Sequence, residues 1–344
     1  VHFNINAVKL RIITGIIILL ELAGHSSLRA EPATSIITIQ CKNYYAEIEP
    51  DYGGNCVRLR HLPSNIEVFR KPGTKEAREE TPLLYGMPIL FFPNRIRGGR
   101  FMFEDREYLW PLNDPERNGY VHGELYHMPF RVIRKTRSSV EMEFVATAQH
   151  PYLMFPHSFI LRLRYTVNAR GLHQQVSITN TSDESMPFGL AFHTTFNLPF
   201  GPEGKVDDLR LTLPVNKEYP RDTVTLTPTG KCLWNYPQRD ALRAGTLQPS
   251  QHVLSRFFSR DKKGSMRITD IRSGWAITYA ADAHHRFWML WNGGRKDLLT
   301  VEPQTCLIDP FNTDVPDSEK GTIIIKPGST IKLHANINVK NIRS

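Results

Sequence analysis

The chain has 344 residues, enough for one large domain or two ordinary ones. It is 40% hydrophobic and 22% charged, with 24 prolines and 22 glycines, a globular composition with too many turn-formers for long helices. The net charge is +9, yet the 43 basic residues are scattered without a long block; that excludes an evident nucleic-acid-binding stripe and leaves an anionic sugar open as a ligand.

Residues 1–34 read as an N-terminal extension. Lys9 and Arg11 precede a nine-residue apolar run, 12–20, in the manner of a secretory signal. Glu21 cuts that run short, and nine residues cannot span a bilayer as a helix, so no stable membrane insertion is expected. Two readings stand side by side: a signal peptide on a secreted protein, or an extension on a cytoplasmic one. The cytoplasmic reading is preferred. Cys41, Cys56, Cys232 and Cys306 show no CxxC spacing, which argues against a zinc site and suits unpaired thiols.

From residue 35 the text is that of strands. Stretches 35–41, 44–49 and 55–60 are apolar runs broken by short polar turns, and the charged stretch 67–81 reads as a surface loop or short helix. Stretch 88–100 joins an apolar half to Asn94, Arg95 and the pair Gly98-Gly99, a turn beside buried strand. Residues 111–120 carry Pro, Asn, Asp and Gly and predict a long loop that delivers His122 and Gly123. Val140, Met142 and Phe144 alternate with glutamates, and Phe159, Leu161, Leu163 and Tyr165 alternate with arginines, the mark of half-buried antiparallel strands. Those arginines read as a solvated sheet face. Stretch 188–198 carries His193 among aromatic and aliphatic residues; 209–213 and 223–230 extend the strand pattern, while 231–262 is irregular. Strands at 275–279, 286–291, 298–302, 322–325 and 331–335 complete the chain. No linker divides residues 35–340, which predict a single all-β domain, a large antiparallel β-sandwich.

A lone histidine on an apolar strand is ordinarily a hydrogen-bonded core residue. Three further segments give His193 functional company: Asn94-Arg95, the Gly-Tyr-Val-His-Gly run at 119–123, and Glu302-Pro-Gln-Thr with Asp309-Pro-Phe-Asn312. In this order, with these separations, the four segments resemble the aldose 1-epimerases, or mutarotases, over most of residues 35–338. The resemblance implies a galactose mutarotase-like supersandwich and an isomerase that interconverts the α and β anomers of free hexoses. It implies no cofactor and no metal.

Anomer exchange opens the hemiacetal ring. A base takes the proton of the C1 hydroxyl, an acid protonates the ring oxygen, and rotation about C1–C2 precedes reclosure. By resemblance Glu302 is the base, His193 the acid, and His122 polarises the ring oxygen. Asn94, Arg95, Gln304 and Asn312 match sugar-binding positions. Many members carry an aspartate for sugar hydroxyls before the last third, and the corresponding region, 249–258, has no acidic residue. That leaves the preferred sugar open. The expected partner is a small sugar, neutral by preference, with no nucleic acid and no protein partner indicated. Three rivals remain. A non-catalytic carbohydrate-binding module would need no acid–base pair. A hexose-phosphate mutarotase would need converging Arg or Lys. A glycoside hydrolase would need a second carboxylate in a comparable motif.

Overall fold

The computed structural model describes residues 36–201 and 203–343. The expectation for residues 1–34 lies outside the described residues. Alternation of apolar and polar side chains dictates the strands. In Phe159–Asn168 the residues Phe159, Leu161, Leu163, Tyr165 and Val167 are buried, and Arg162 and Arg164 between them are exposed. Its neighbour Ser139–Ala146 runs antiparallel and sets Glu143 opposite Arg162, whose Nε donates to Glu143 Oε2 at 2.8 Å. The arginines therefore do belong to a sheet face.

These two strands sit in an eight-stranded antiparallel sheet. Its order is Arg131–Lys135, Ser139–Ala146, Phe159–Asn168, Gly171–Asn180, Thr330–Asn341, Trp275–Ala281, Met266–Asp270, Leu209–Thr212. The late strand Thr330–Asn341 thus lies in mid-sheet, hydrogen-bonded to Gly171–Asn180 on one side and Trp275–Ala281 on the other. A seven-stranded sheet runs Val215–Glu218, Ser255–Arg260, Phe287–Trp291, Leu298–Gln304, Ala191–Phe192, Ile89–Leu90, with Thr195–Asn197 also on Leu298–Gln304. The two sheets share one core. Tyr279 of the first packs its ring 6.2 Å from Trp288 and 6.0 Å from Phe196 of the second. Both Trp288 and Tyr279 are fully buried, and each such side chain contributes about 1.5–3 kcal/mol. This is the all-β sandwich that the alternation predicts.

Two stretches differ from expectation. Residues 223–230 form a loop rather than a strand, because the Asp222 carboxylate captures the backbone N–H groups of Val224 and Thr225 at 2.9 and 2.7 Å and curls the chain into turns. The irregular stretch 231–262 contains the helix Arg239–Ala244 and the strand Ser255–Arg260. The charged stretch 67–81 supplies another short helix, Lys75–Glu80, whose N-cap Thr74 accepts from Ala77 N. Among the described residues all four cysteines are unpaired, and no helix is long and apolar enough to cross a membrane.

Candidate active site

The strand Leu298–Gln304 is buried along its whole length. Its odd positions Leu299 and Val301 face the core, so Thr300, Glu302 and Gln304 share the opposite face. On one side Met289 stands opposite Glu302 and Trp291 opposite Thr300. On the other side Ala191 pairs with Gln304 and Thr195 with Thr300. Counting between those pairs puts His193 opposite Glu302. Regular pairing lapses at His193 and Thr194, close to Pro303, which has no N–H to offer the ladder. The outcome is a cross-strand contact, with His193 Nε2 3.5 Å from Glu302 Oε1. Gln304 Nε2 donates to the other carboxyl oxygen, Oε2, at 2.9 Å and fixes the plane of the group.

His122 approaches from a different substructure. The strand Gly119–Val121 pairs with Arg95–Arg97, and just beyond it Asn94 and His122 clasp each other. The His122 N–H donates to the Asn94 carbonyl at 2.8 Å, and the Asn94 N–H donates to His122 Nδ1 at 3.3 Å. Because Nδ1 accepts, the proton of the neutral ring sits on Nε2. Both residues hold left-handed backbone, φ 60° and 65°, an arrangement seen where structure over-determines a functional loop. Gly123 follows at φ 67°, and a Cβ there would lie 1.9 Å from the Phe91 carbonyl oxygen. The His122 and His193 rings meet edge to face at 5.5 Å.

Asn94, Arg95, His122, His193 and Glu302 line one pocket of about 230 Å³ together with Leu83, Leu84, Arg221, Leu226, Ser255, Met289 and Trp291. That is below the about 300–1,000 Å³ of common small-molecule sites and suits a single ring. The Asn94 side-chain oxygen is buried with no protein partner among the described residues, an acceptor left for a ligand hydroxyl. Gln304 does not line the pocket and acts through Glu302. Asn312 lies outside it: its amide donates to the Arg100 carbonyl at 2.8 Å and to Asp309 Oδ1 at 2.7 Å, tying two loops together.

Several site residues escaped the motif reading. Asp114, on the loop 111–120, accepts from Arg95 Nε at 3.0 Å and from Arg117 at 3.1 Å. Arg221 stands two residues before the stretch 223–230, and its Nη2 donates to the carbonyl and hydroxyl of Ser255 at 2.6 and 2.7 Å. Ser255 belongs to the very region that lacks the expected acid. Trp291 offers an aromatic wall, its ring 6.4 Å from that of His193.

Burial sets the electrostatics. It pushes Glu302 up to about 8, against the Gln304 hydrogen bond and the positive charges of Arg221 and Arg95. It pushes His193 down to about 4, against the carbonyl of Leu83, and holds His122 well below the ordinary imidazole value, helped by His193 and Arg95. Near neutral pH the His193–Glu302 pair holds one proton in all. Since Gln304 donates to Oε2, that proton belongs on Oε1, facing the imidazole. Such a pair can give a proton at one point and take one at a neighbouring point.

A buried carboxyl–imidazole pair thus lies beside a small pocket on one sheet of a large antiparallel β-sandwich. The chain belongs to the aldose 1-epimerase family, whose model matches residues 35–338. It is 23% identical to the uncharacterized protein YihR of Escherichia coli K12, covering 88% of this chain and 92% of that one. Among solved structures it resembles a galactose mutarotase-like protein from Clostridium acetobutylicum (27% identity, TM-score 0.83, 89% and 95% of the two chains covered). It also shares the fold of a galactose mutarotase-like protein from Lactobacillus casei (20% identity, TM-score 0.71, 89% and 100% covered).

Proposed function

We propose that this protein is a mutarotase that interconverts the α and β anomers of a free hexose, with Glu302 as base and His193 as acid. One observation carries the reading: His193 Nε2 and Glu302 Oε1 lie 3.5 Å apart and line the same small pocket. Ring opening demands this closeness, because the C1 hydroxyl and the ring oxygen hang on the same carbon.

In the productive state Glu302 is the carboxylate and His193 the imidazolium. Glu302 takes the C1 hydroxyl proton, the freed electron pair makes the C1 carbonyl, and the bond from C1 to the ring oxygen breaks. The ring oxygen keeps that bond's electrons and takes the proton of His193. Rotation about C1–C2 turns the other carbonyl face to the oxygen. Reclosure reverses both proton transfers. His122, with its proton on Nε2, donates a hydrogen bond toward the ring oxygen, and Asn94 and Arg95 bind the sugar's outer groups. All electrons come from the sugar itself, so the chain's own residues complete the cycle. A carbohydrate-binding module would have no use for a buried acid–base pair, and no second carboxylate lines the described pocket to serve a glycoside hydrolase. For location we favour the cytoplasm, where unpaired cysteines such as these four are the rule.

Polarimetry of freshly dissolved α-D-glucose and α-D-galactose tests the reading. The wild type should speed the approach to anomeric equilibrium, and Glu302→Gln should lose about 10²–10⁴-fold in rate while keeping the fold by circular dichroism. Equal rates in the two proteins would remove Glu302 as base.

A further inference from the structure

Resting on that mutarotase reading, we infer that the hexose this pocket is built for carries an anionic group at C6, a phosphate, sulfate or carboxylate, gripped jointly by Arg95 and Arg221. Two guanidinium groups from separate segments line the same small pocket as Glu302, and among the described lining residues Glu302 is the only carboxyl group. Neither arginine forms an ion pair with it, although both lie close enough for their charge to favour its ionised form.

Each guanidinium is anchored at one edge and open at the other. Arg95 commits Nε to Asp114 and keeps both terminal nitrogens. Arg221 commits Nη2 to Ser255 and keeps Nε and Nη1. The remaining N–H groups are the fork that binds tetrahedral or planar oxyanions in pairs. The charge balance agrees. Asp114 stands behind Arg95 but is shared with Arg117, so three arginines face two carboxyl groups even when Glu302 is ionised. With a neutral hexose this cluster stays one partly buried arginine charge short of a counter-ion, a costly arrangement. An anionic substituent supplies that counter-ion. C6 is the position that can carry it, since it projects beyond the ring and leaves the C1 hydroxyl and ring oxygen free to react. It also suits a stretch 249–258 without an acidic residue: Ser255 there holds Arg221, whereas a carboxylate would repel the substrate.

The test compares kcat/KM for glucose, glucose 6-phosphate, glucose 6-sulfate and glucuronate, each above its own uncatalysed rate. Wild type, Arg221→Gln, Arg221→Lys and Glu302→Gln are assayed together, with folding checked by thermal melting. At least one anionic sugar should exceed glucose by tenfold or more. Arg221→Gln should cut that advantage by roughly 10–100-fold, and Arg221→Lys should restore part of it. Which of the three anions wins identifies the group. Glucose equalling or beating all three would overturn the inference and leave the mutarotase reading intact, provided Glu302→Gln is slow. Equal slowing of every sugar by Arg221→Gln, with a shifted pH profile, would also overturn it, reducing Arg221 to a positioning residue for Glu302. If no sugar is accelerated by any variant, the reading beneath it falls too.

Discussion

In the proposed mechanism Glu302 and His193 hold one exchangeable proton between them, and that sets the expected dependence of activity on pH. Glu302 and His193 titrate as a pair, so the apparent values belong to the pair. Above about 8 the pair loses its proton and no acid remains; below about 4 it gains a second and no base remains. The value of kcat/KM is therefore expected to be level between those limits and to fall tenfold per pH unit outside them. Rates measured from pH 3.5 to 9.5 check it. A single limb centred near 6.5, an ordinary exposed histidine, would contradict the shared-proton account. Asp114 offers a second measurement. It touches Arg95 and not the pocket, so Asp114→Asn should raise KM by about tenfold, leave kcat nearly unchanged and lower stability by about 1–3 kcal/mol.

At the scale of elements, the site depends on loops held in strained backbone between rigid strands. Gly123 is the sharpest case: Gly123→Ala would drive a methyl group into the Phe91 carbonyl at φ 67°. A loss of more than about 2 kcal/mol is expected in urea unfolding, with His122 displaced from the pocket. The elements also show what a reader of the sequence can see. Strand Phe159–Asn168 was legible because its alternation is unbroken and its polar face is paired across the sheet. His122, His193 and Glu302 were legible because each sits in a short distinctive run, and the structure brings them to one pocket. Arg221 was not. Its loop alternates Thr with Val and Leu as a strand does, and the Asp222 carboxylate, a local competitor for backbone N–H groups, wins over that pattern. Asp114 was invisible as a partner because its contact with Arg95 spans 19 positions with no motif of its own. Asn312 was singled out by its motif, yet its side chain is spent on Arg100 and Asp309.

At the scale of the molecule, one core unites two large sheets, so no piece of the sandwich is expected to hold the pocket alone. Pocket residues come from position 83 to position 302, and the strand pairings that align them are antiparallel and mostly distant in sequence. Such topology folds slowly, because long loops close before their contacts are gained.

The place of Thr330–Asn341 in the sheet bears on how the chain is synthesised. It is the last described strand to leave a ribosome, yet it sits mid-sheet between Gly171–Asn180 and Trp275–Ala281. Until it arrives, the nascent sheet is two halves, each presenting a bare edge. The growing chain is therefore most prone to wrong pairing and to chaperone capture during the interval in which Leu298–Gln304, the strand that carries Glu302, is already made and its keystone strand is not.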